Sequence, residues 1–104
     1  MEKSESVVTL RVRETETDPY GIAHHANYAV WAEMGLRALD AFPGAEKAWV
    51  AGFECKYLRS AAAGDEIRVR SRITGQADGE TTVSFEILRE KTLLASGTMA
   101  VKTK

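Results

Sequence analysis

The spacing of apolar residues constrains this chain more than any other feature, because its period changes once and then changes back. Residues 24–41 repeat apolar side chains every three or four positions, as on a helix of about five turns with one apolar stripe. The stripe comprises Tyr28, Trp31, Ala32, Gly35, Leu36 and Leu39. The sequence Phe42-Pro43-Gly44 is a helix stop. We therefore predict one long helix, from about His24 to about Ala41.

The segments on either side of this helix alternate between apolar and polar residues, which is typical of half-buried strands. One such segment, residues 6–14, precedes the helix. Four more follow it, with the last at about 93–102, and in the first of them one face carries Trp49, Ala51, Phe53, Cys55 and Tyr57. The element order is therefore βαββββ, and the short links after the helix favour antiparallel pairing.

A single helix can cover only one face of such a sheet, so the other face must tolerate water. That face is predicted to carry Arg11, Arg13, Glu54, Lys56, Arg68, Arg70, Arg72 and Glu86. The fold class is therefore α+β, with a core on one side of the sheet. One helix is thin cover for 104 residues. Edge-to-edge extension of the sheet into a homodimer would enlarge the core and hide an exposed strand edge.

Composition excludes several functional classes. The formal net charge is −1, so no overall basic field favours nucleic acid, and no apolar run approaches the roughly 18 residues of a membrane span. The N-terminal residues lack a signal-peptide core, and the one cysteine, Cys55, can form neither an internal disulfide nor a cysteine zinc cluster. We expect a cytoplasmic, single-domain protein over residues 1–104, with Cys55 as a buried structural thiol.

A short turn before the helix is the best candidate for a functional site. In Thr17-Asp18-Pro19-Tyr20-Gly21, Pro19 restricts the backbone and Gly21 permits angles that other residues resist. The turn can hold the Asp18 carboxylate beside helix N–H groups, which are natural donors to a developing oxyanion. Taken alone, an aspartate in such a turn is most often only a turn residue. His24 and His25 point about 100° apart on a helix and do not readily share a metal.

The residues around this turn resemble a known family. The motif Thr17-Asp18-Pro19-Tyr20-Gly21-Ile22-Ala23-His24-His25-Ala26-Asn27-Tyr28, followed by Trp31 and Glu33, resembles the signature of hotdog-fold acyl-CoA thioesterases of the 4-hydroxybenzoyl-CoA thioesterase type. The later sequence Lys56-Tyr57-Leu58-Arg59-Ser60-Ala61 with Gly64-Asp65 is similar to that family's second-strand exit and turn. The resemblance implies a hotdog fold, in which one long central helix is wrapped by a five-stranded antiparallel sheet.

The resemblance also implies a site. Asp18 is the expected catalytic carboxylate, as nucleophile or as general base for water, and the backbone N–H at His25 is the expected oxyanion donor. Two subunits are expected to share each site, with coenzyme A along their interface. No cofactor is expected, since coenzyme A belongs to the substrate. The expected substrate-binding residues are Tyr20, Gly21, Asn27, Tyr28, Glu33, Lys56 and Arg59.

Most of these residues also have a purely structural interpretation. Asn27 either bonds the Asp18 loop or occupies an early helix turn, and Tyr28 lies on the apolar stripe with the core. Glu33 is a pocket residue or a solvated helix residue, with an expected salt bridge to Arg37. Lys56 and Arg59 are candidate cations for the phosphates of coenzyme A. The row Arg68, Arg70 and Arg72 is a second possibility for these phosphates, or only a solvated sheet face.

The sequence favours hydrolysis of a small acyl-CoA and leaves alternatives open. An acyl carrier protein thioester is a close variant, since it presents the same phosphopantetheine arm. A non-catalytic acyl-thioester-binding module is the alternative of a different class. A dehydratase is a third option and would need an essential His25 side chain. We expect a homodimer, possibly a homotetramer, with no nucleic-acid or membrane partner.

Overall fold

A computed structural model describes residues 5–39, 49–77 and 79–102 of the chain. It confirms the βαββββ order. The elements are β1 (Glu5–Arg11), a short 3-10 helix (Glu14–Glu16), α1 (His25–Arg37), β2 (Trp49–Tyr57), β3 (Glu66–Ala77), β4 (Glu80–Arg89) and β5 (Thr92–Lys102). The helices in the described ranges lack the length and hydrophobicity of a membrane-spanning segment.

The helix ends earlier than its apolar stripe predicts. Its last helical residue is Arg37, because the next two N–H groups turn back over three residues: Ala38 donates to the Gly35 carbonyl at 3.2 Å and Leu39 to the Leu36 carbonyl at 3.0 Å. This tighter closure is common in a final helical turn. The predicted stop at residues 42–44 lies outside the described residues.

All strand pairs are antiparallel, and the five strands lie in the order β1-β3-β4-β5-β2. The predicted five-stranded antiparallel sheet is therefore confirmed. β1 and β2 are the two edges, because the chain crosses from one side of the sheet to the other through α1. Each edge strand has one paired neighbour and one open side within the described residues.

The core fills the space between α1 and one face of the sheet, as predicted. The apolar stripe of α1 is buried, and so are the inward residues of β3 and β4, while the arginine row of β3 is exposed. The largest fully buried side chains are Trp31, Tyr28, Phe85, Leu36, Ile67, Ile87, Leu94, Met99, Val69, Val83 and Val101.

The start of β2 departs from the predicted alternation. The pairing of β2 with β5 shifts register between Val50 and Gly52, so one extra residue is accommodated there. A bulge of this kind reverses which side chains face the core. Val50 consequently packs against the core with Phe53, whereas Ala51 is exposed and Trp49 is 44% exposed. The predicted shared inward face of Trp49, Ala51 and Phe53 is therefore wrong.

Candidate active site

A small hairpin carries Asp18 and leads directly into α1. His24 donates its backbone N–H to the Glu16 carbonyl at 3.0 Å, Thr17 bridges to Ala23, and Asp18 donates to the Ile22 carbonyl at 2.9 Å. These contacts pair residues 16–18 with residues 22–24, and we call this unit the Asp18 hairpin. Its tip is closed by Gly21, whose N–H donates to the Asp18 carbonyl at 2.9 Å.

The backbone of the tip orients the Asp18 carboxylate. Oδ1 accepts hydrogen bonds from the N–H groups of Tyr20 at 2.8 Å and Ile22 at 3.4 Å. Gly21 adopts a φ of +80°, which lets the chain reverse tightly enough to present both donors. Oδ2 has no hydrogen-bond partner among the residues that the structure describes, and the side chain is partly exposed. One carboxylate oxygen is thus held in place and the other is available for chemistry.

The second arm of the hairpin delivers the N-terminus of α1. His24 is the N-cap in an extended conformation, with φ −62° and ψ 142°, and its carbonyl accepts the Asn27 N–H at 3.0 Å. The N–H of His25 has no acceptor within the described ranges, as expected for the first residue of a helix. Only residues 19–23 thus separate the partly exposed Asp18 from His24, the N-cap of α1. The two predicted catalytic groups belong to one continuous local structure.

The His25 and Asn27 side chains play different parts at this helix start. The His25 imidazole stacks on the Tyr57 ring at the end of β2, with centroids 3.8 Å apart and planes 6° from parallel. The Asn27 amide donates to the Glu16 carbonyl at 2.7 Å. Asn27 therefore ties α1 to the hairpin, the first of its two predicted alternatives, while His25 links the site to the end of β2.

Tyr28 lies in the core and holds the neighbouring loop. It is 1% exposed, and its hydroxyl accepts the Ala61 N–H at 3.1 Å. Burial raises the pKa of Tyr28, despite the opposing effect of the Ala61 N–H bond. The Ala61 carbonyl accepts the Ala23 N–H at 2.7 Å, so this tyrosine supports the second arm of the hairpin from behind. At this exposure it offers almost no surface to a substrate.

The other predicted substrate-binding residues lie in three places: at the hairpin tip, on α1 and near the end of β2. Tyr20 is 88% exposed and Gly21 is exposed beside it. Glu33, about two turns along α1, forms the predicted ion pair with Arg37 at 3.0 Å. Lys56 and Arg59 are exposed near the end of β2, where they flank Tyr57 along the chain. The structure thus joins the hairpin tip to the helix start, and the stack brings the end of β2 to them.

Sequence reasoning missed Glu16, a carboxylate two positions before Asp18. Its side chain is 8% exposed; Oε1 accepts the Arg13 backbone N–H at 2.8 Å and Oε2 accepts the Trp31 indole N–H at 3.0 Å. Burial alone would raise the pKa of Glu16, but these two donors and the Arg13 guanidinium together lower it. A signal was present, since a buried tryptophan normally needs an acceptor for its N–H.

An ion pair supports the loop at residues 58–65. Asp65 and Arg89 form an ion pair at 2.8 Å, and Asp65 also accepts the Ala62 N–H at 2.8 Å. The pKa of Asp65 is lowered chiefly by the Ala62 N–H, with Arg89 adding to the effect against a smaller opposing contribution from burial. Ala62 forms a bridge with Ile22, so this ion pair also supports the Asp18 hairpin.

Comparison with known proteins places the chain in a family. Residues 20–96 match the family model of the thioesterase superfamily. The matched segment begins after Asp18, so the match does not itself test that residue. The Bacillus subtilis (strain 168) protein YneP, named as a candidate acyl-CoA thioesterase, is 57% identical over 30 residues. That segment is 29% of this chain and only 22% of the relative's length.

Solved structures share the architecture. The DHNA-CoA thioesterase of Staphylococcus aureus superposes with a TM-score of 0.83 at 23% identity, over 94% of this chain and 72% of that one. The protein TT1821 of Thermus thermophilus gives a TM-score of 0.82 at 26% identity, over 94% and 82% of the two chains. The fold is therefore the hotdog fold that the sequence resemblance implied, and the chain belongs to the thioesterase superfamily.

Proposed function

We propose that this protein hydrolyses an acyl-CoA thioester to the free acid and coenzyme A, with Asp18 as the catalytic carboxylate. The observation that carries the proposal is the Asp18 hairpin. It orients one carboxylate oxygen through two N–H bonds, leaves the other without a partner among the described residues, and continues into the start of α1. No other side chain need take part in the bond-breaking step.

The reaction needs an attacking oxygen and stabilisation of the oxyanion that forms on the thioester carbonyl. As a general base, Asp18 removes a proton from water while the water oxygen attacks the carbonyl carbon. The C–S bond then breaks, and the thiolate of coenzyme A recovers the proton from Asp18. As a nucleophile, the Asp18 carboxylate attacks the carbonyl carbon, the C–S bond breaks, and coenzyme A leaves as its thiolate. Water then hydrolyses the mixed anhydride to the free acid and the Asp18 carboxyl, whose proton passes to the thiolate and restores the carboxylate. In both routes the His25 backbone N–H donates to the oxyanion, and one such donor is commonly worth about 3–4 kcal/mol.

Substrate recognition in this proposal relies on local cations, because the chain has a formal net charge of −1. Lys56 and Arg59 are exposed at and just beyond the end of β2, the strand whose Tyr57 stacks on His25. They are suited to the phosphates of coenzyme A. An acyl carrier protein would present the same phosphopantetheine arm without the nucleotide. The ratio of hydrolysis rates for matched acyl-CoA and acyl carrier protein substrates distinguishes the two.

The first prediction concerns Asp18→Asn and Asp18→Ala, assayed against a panel of acyl-CoA thioesters. We expect each to lower kcat/KM by about a hundredfold or more, within the range of a positioned acid–base group. Asp18→Asn is the sharper variant, because the amide oxygen can still accept the Tyr20 and Ile22 N–H groups while the negative charge is lost. Its melting temperature should therefore stay close to that of the wild type. A wild-type rate of hydrolysis in Asp18→Ala would show that Asp18 is not the catalytic carboxylate, whereas binding without hydrolysis by the wild type would support a non-catalytic acyl-thioester-binding module.

The second prediction separates the His25 backbone from its side chain. His25→Ala keeps the backbone N–H and removes the ring that stacks on Tyr57. We expect kcat to remain within about tenfold of wild type, with the main effect on KM, because the proposed oxyanion donor is retained. Tyr57→Leu removes the other ring of the same stack, so its effects on kcat and KM should match those of His25→Ala. A loss as large as that of Asp18→Ala would favour the dehydratase alternative, which needs the histidine side chain.

A further inference from the structure

We infer that Glu16 is a positioning residue, which sets the Asp18 hairpin against the N-terminus of α1 so that carboxylate and oxyanion donor face one substrate carbonyl. The inference rests on the proposed function for its catalytic consequence. The structural part of the inference is that Glu16 fixes the position of the Asp18 hairpin relative to the N-terminus of α1, and it rests on the contacts alone. Glu16 touches neither the substrate nor the reacting atoms in this assignment.

Three oxygens of this one residue cap its own 3-10 turn and join that turn to α1. Oε1 accepts the backbone N–H of Arg13, where the chain leaves β1. Oε2 accepts the indole N–H of Trp31, which lies in the middle of α1. The backbone carbonyl accepts the His24 N–H at 3.0 Å and the Asn27 amide at 2.7 Å, both at the start of α1. The first arm of the hairpin is thus anchored to α1 at two levels of the helix.

The anchor requires a carboxylate and not only a polar side chain of the same size. Both side-chain oxygens of Glu16 act as acceptors, and both of their nearest donors are N–H groups that cannot accept. A glutamine offers one acceptor oxygen and one NH2 group. Whichever way its amide is turned, the NH2 faces either the Arg13 N–H or the Trp31 N–H, and a buried donor loses its partner. This requirement explains why an 8% exposed position holds an ionised side chain.

Small displacements at this point matter for the proposed reaction. Asp18 follows Glu16 by two residues on the same arm, whereas His25 follows the other arm, so a shift of the first arm changes their relative placement. A misplacement of about 1 Å in a catalytic geometry can cost on the order of a hundredfold in rate. Binding of the coenzyme A moiety by exposed cations elsewhere should be much less affected. Loss of Glu16 should therefore appear in kcat and not in KM.

The test combines Glu16→Gln, Trp31→Phe and the double variant, with Ile87→Val as a matched control for lost stability. Ile87 is fully buried in β4 and contributes nothing to the hairpin contacts described here. We expect Glu16→Gln to lower kcat by about tenfold or more with KM within about twofold, while Ile87→Val keeps both values. In the Trp31→Phe background the glutamine NH2 no longer faces the indole N–H. There Glu16→Gln should lower kcat by no more than about threefold further.

Amide hydrogen exchange supplies a readout that does not depend on activity. Exchange of residues 14–27 should be faster in Glu16→Gln than in wild type, while exchange in β3 and β4 should be unchanged. If the wild type hydrolyses no thioester, the proposed function fails, and the exchange data alone decide the structural inference. The inference is overturned if residues 14–27 of Glu16→Gln exchange at the wild-type rate. It is also overturned if the wild type is active and these residues exchange faster in Glu16→Gln while kcat does not fall. An equal fall of kcat in Ile87→Val would also overturn it.

If Glu16→Gln does not fold, Trp31→Phe and Glu16→Asp test the inference in its place. Trp31→Phe removes the bond to the middle of α1 and leaves the bond to Arg13. Glu16→Asp keeps the charge but is too short to reach both donors. Each must lower kcat more than KM changes and must speed exchange across residues 14–27. Wild-type values in both variants would refute the positioning role.

Discussion

The two carboxylates of the Asp18 hairpin have opposite surroundings, although only two positions separate them. Glu16 is buried with each oxygen bonded to an N–H group, so it stays charged for a structural purpose. Asp18 is partly exposed, with one oxygen held and the other without a partner among the described residues. A buried charge is tolerated only when its hydrogen bonds are complete, whereas a reactive group needs an unused oxygen.

The third prediction, at this scale, concerns acid stability. The pKa values of Glu16 and Asp65 are lowered in the folded state, from 4.5 and 3.8. The unfolded chain therefore binds more protons than the folded chain as the pH falls through this range. The free energy that these groups contribute is fully present above their unfolded-state pKa values and is lost as the pH falls through the folded-state values. We expect urea midpoints to be flat near neutral pH and to fall below about pH 4.5.

A matched pair of variants tests whether these two carboxylates cause the fall. Asp65→Asn removes a group that accepts the Ala62 N–H and pairs with Arg89, so the urea midpoint should fall less steeply between pH 5 and pH 3. Glu80→Gln removes an exposed carboxylate that accepts no hydrogen bond within the described part of the chain. It should leave the slope unchanged. Equal slopes in Asp65→Asn and wild type would contradict the assignment for Asp65.

At the residue scale, the sequence predicted the turn that holds Asp18 but not the contacts that support this turn. Asp18, Tyr20 and Gly21 form a turn within four residues, and such a turn is encoded by local backbone preferences. Glu16 depends on Trp31, fifteen positions away along the chain, for its hydrogen bond and its burial. Periodicity treats Glu16 as one more exposed glutamate, because only the packing of α1 over the hairpin brings the indole to it.

At the scale of elements, the helix lies on β3 through a contact between two small residues. Gly35 of α1 faces Ser71 of β3, and a Cβ at Gly35 would run into the Ser71 Oγ and approach Val69 Cγ1 to 3.0 Å. The Ser71 hydroxyl is buried and has no hydrogen-bond partner among the described residues. The Gly35 carbonyl instead accepts the Ser6 hydroxyl at 2.8 Å, which ties α1 to β1. Close approach of helix and sheet therefore depends on glycine at this position.

The fourth prediction tests this packing with Gly35→Ala, Ser71→Ala and their combination. Alanine is favoured over glycine in a helix by about 1 kcal/mol, but overpacking a tight contact costs about 1–3 kcal/mol, so the clash should prevail in Gly35→Ala. Ser71→Ala removes an unpartnered hydroxyl and should leave the free energy of unfolding equal or raise it by about 1 kcal/mol. In the Ser71→Ala background the Gly35→Ala cost should shrink by about 1 kcal/mol or more.

Urea denaturation of the four proteins gives the coupling between the two positions. Ala29→Gly, at a half-buried position in the interior of α1, is the control for helix propensity. It should cost about 0.5–1 kcal/mol in either background. Strictly additive effects of Gly35→Ala and Ser71→Ala would show that the two side chains do not collide. The helix would then have another means of adjusting its distance from β3.

At the scale of the whole molecule, the described residues leave two edges of the sheet open and cover one of its faces. β2 is the edge with the larger exposed apolar side chains, since Trp49 is 44% and Tyr57 38% exposed. Tyr57 also stacks on His25 beside the proposed site. A strand edge of this kind is a template for pairing with another strand. The homodimer expected from the sequence would therefore extend the sheet through β2 and bring a second subunit close to the site.

The fifth prediction is that the protein sediments as a dimer at micromolar concentration, at twice the chain mass of 11.4 kDa. Trp49→Lys adds a charge to the β2 edge and should shift the protein toward the monomer, because charged residues on an edge oppose strand pairing. Val7→Lys, at a 60% exposed position of the β1 edge, is the matched control and should leave the dimer intact. A wild-type monomer at this concentration would rule out the dimer.

The sequence by itself determined the element order, the inward faces of β3 and β4, the family and the turn that presents Asp18. All of these follow from spacing within short segments, where backbone preference and hydrophobic period act locally. Only the tertiary structure decided the strand order, the reversed faces at the start of β2, the His25–Tyr57 stack and the Glu16–Trp31 bond. Each of these depends on residues that are distant in the chain and meet only after α1 has packed on the sheet.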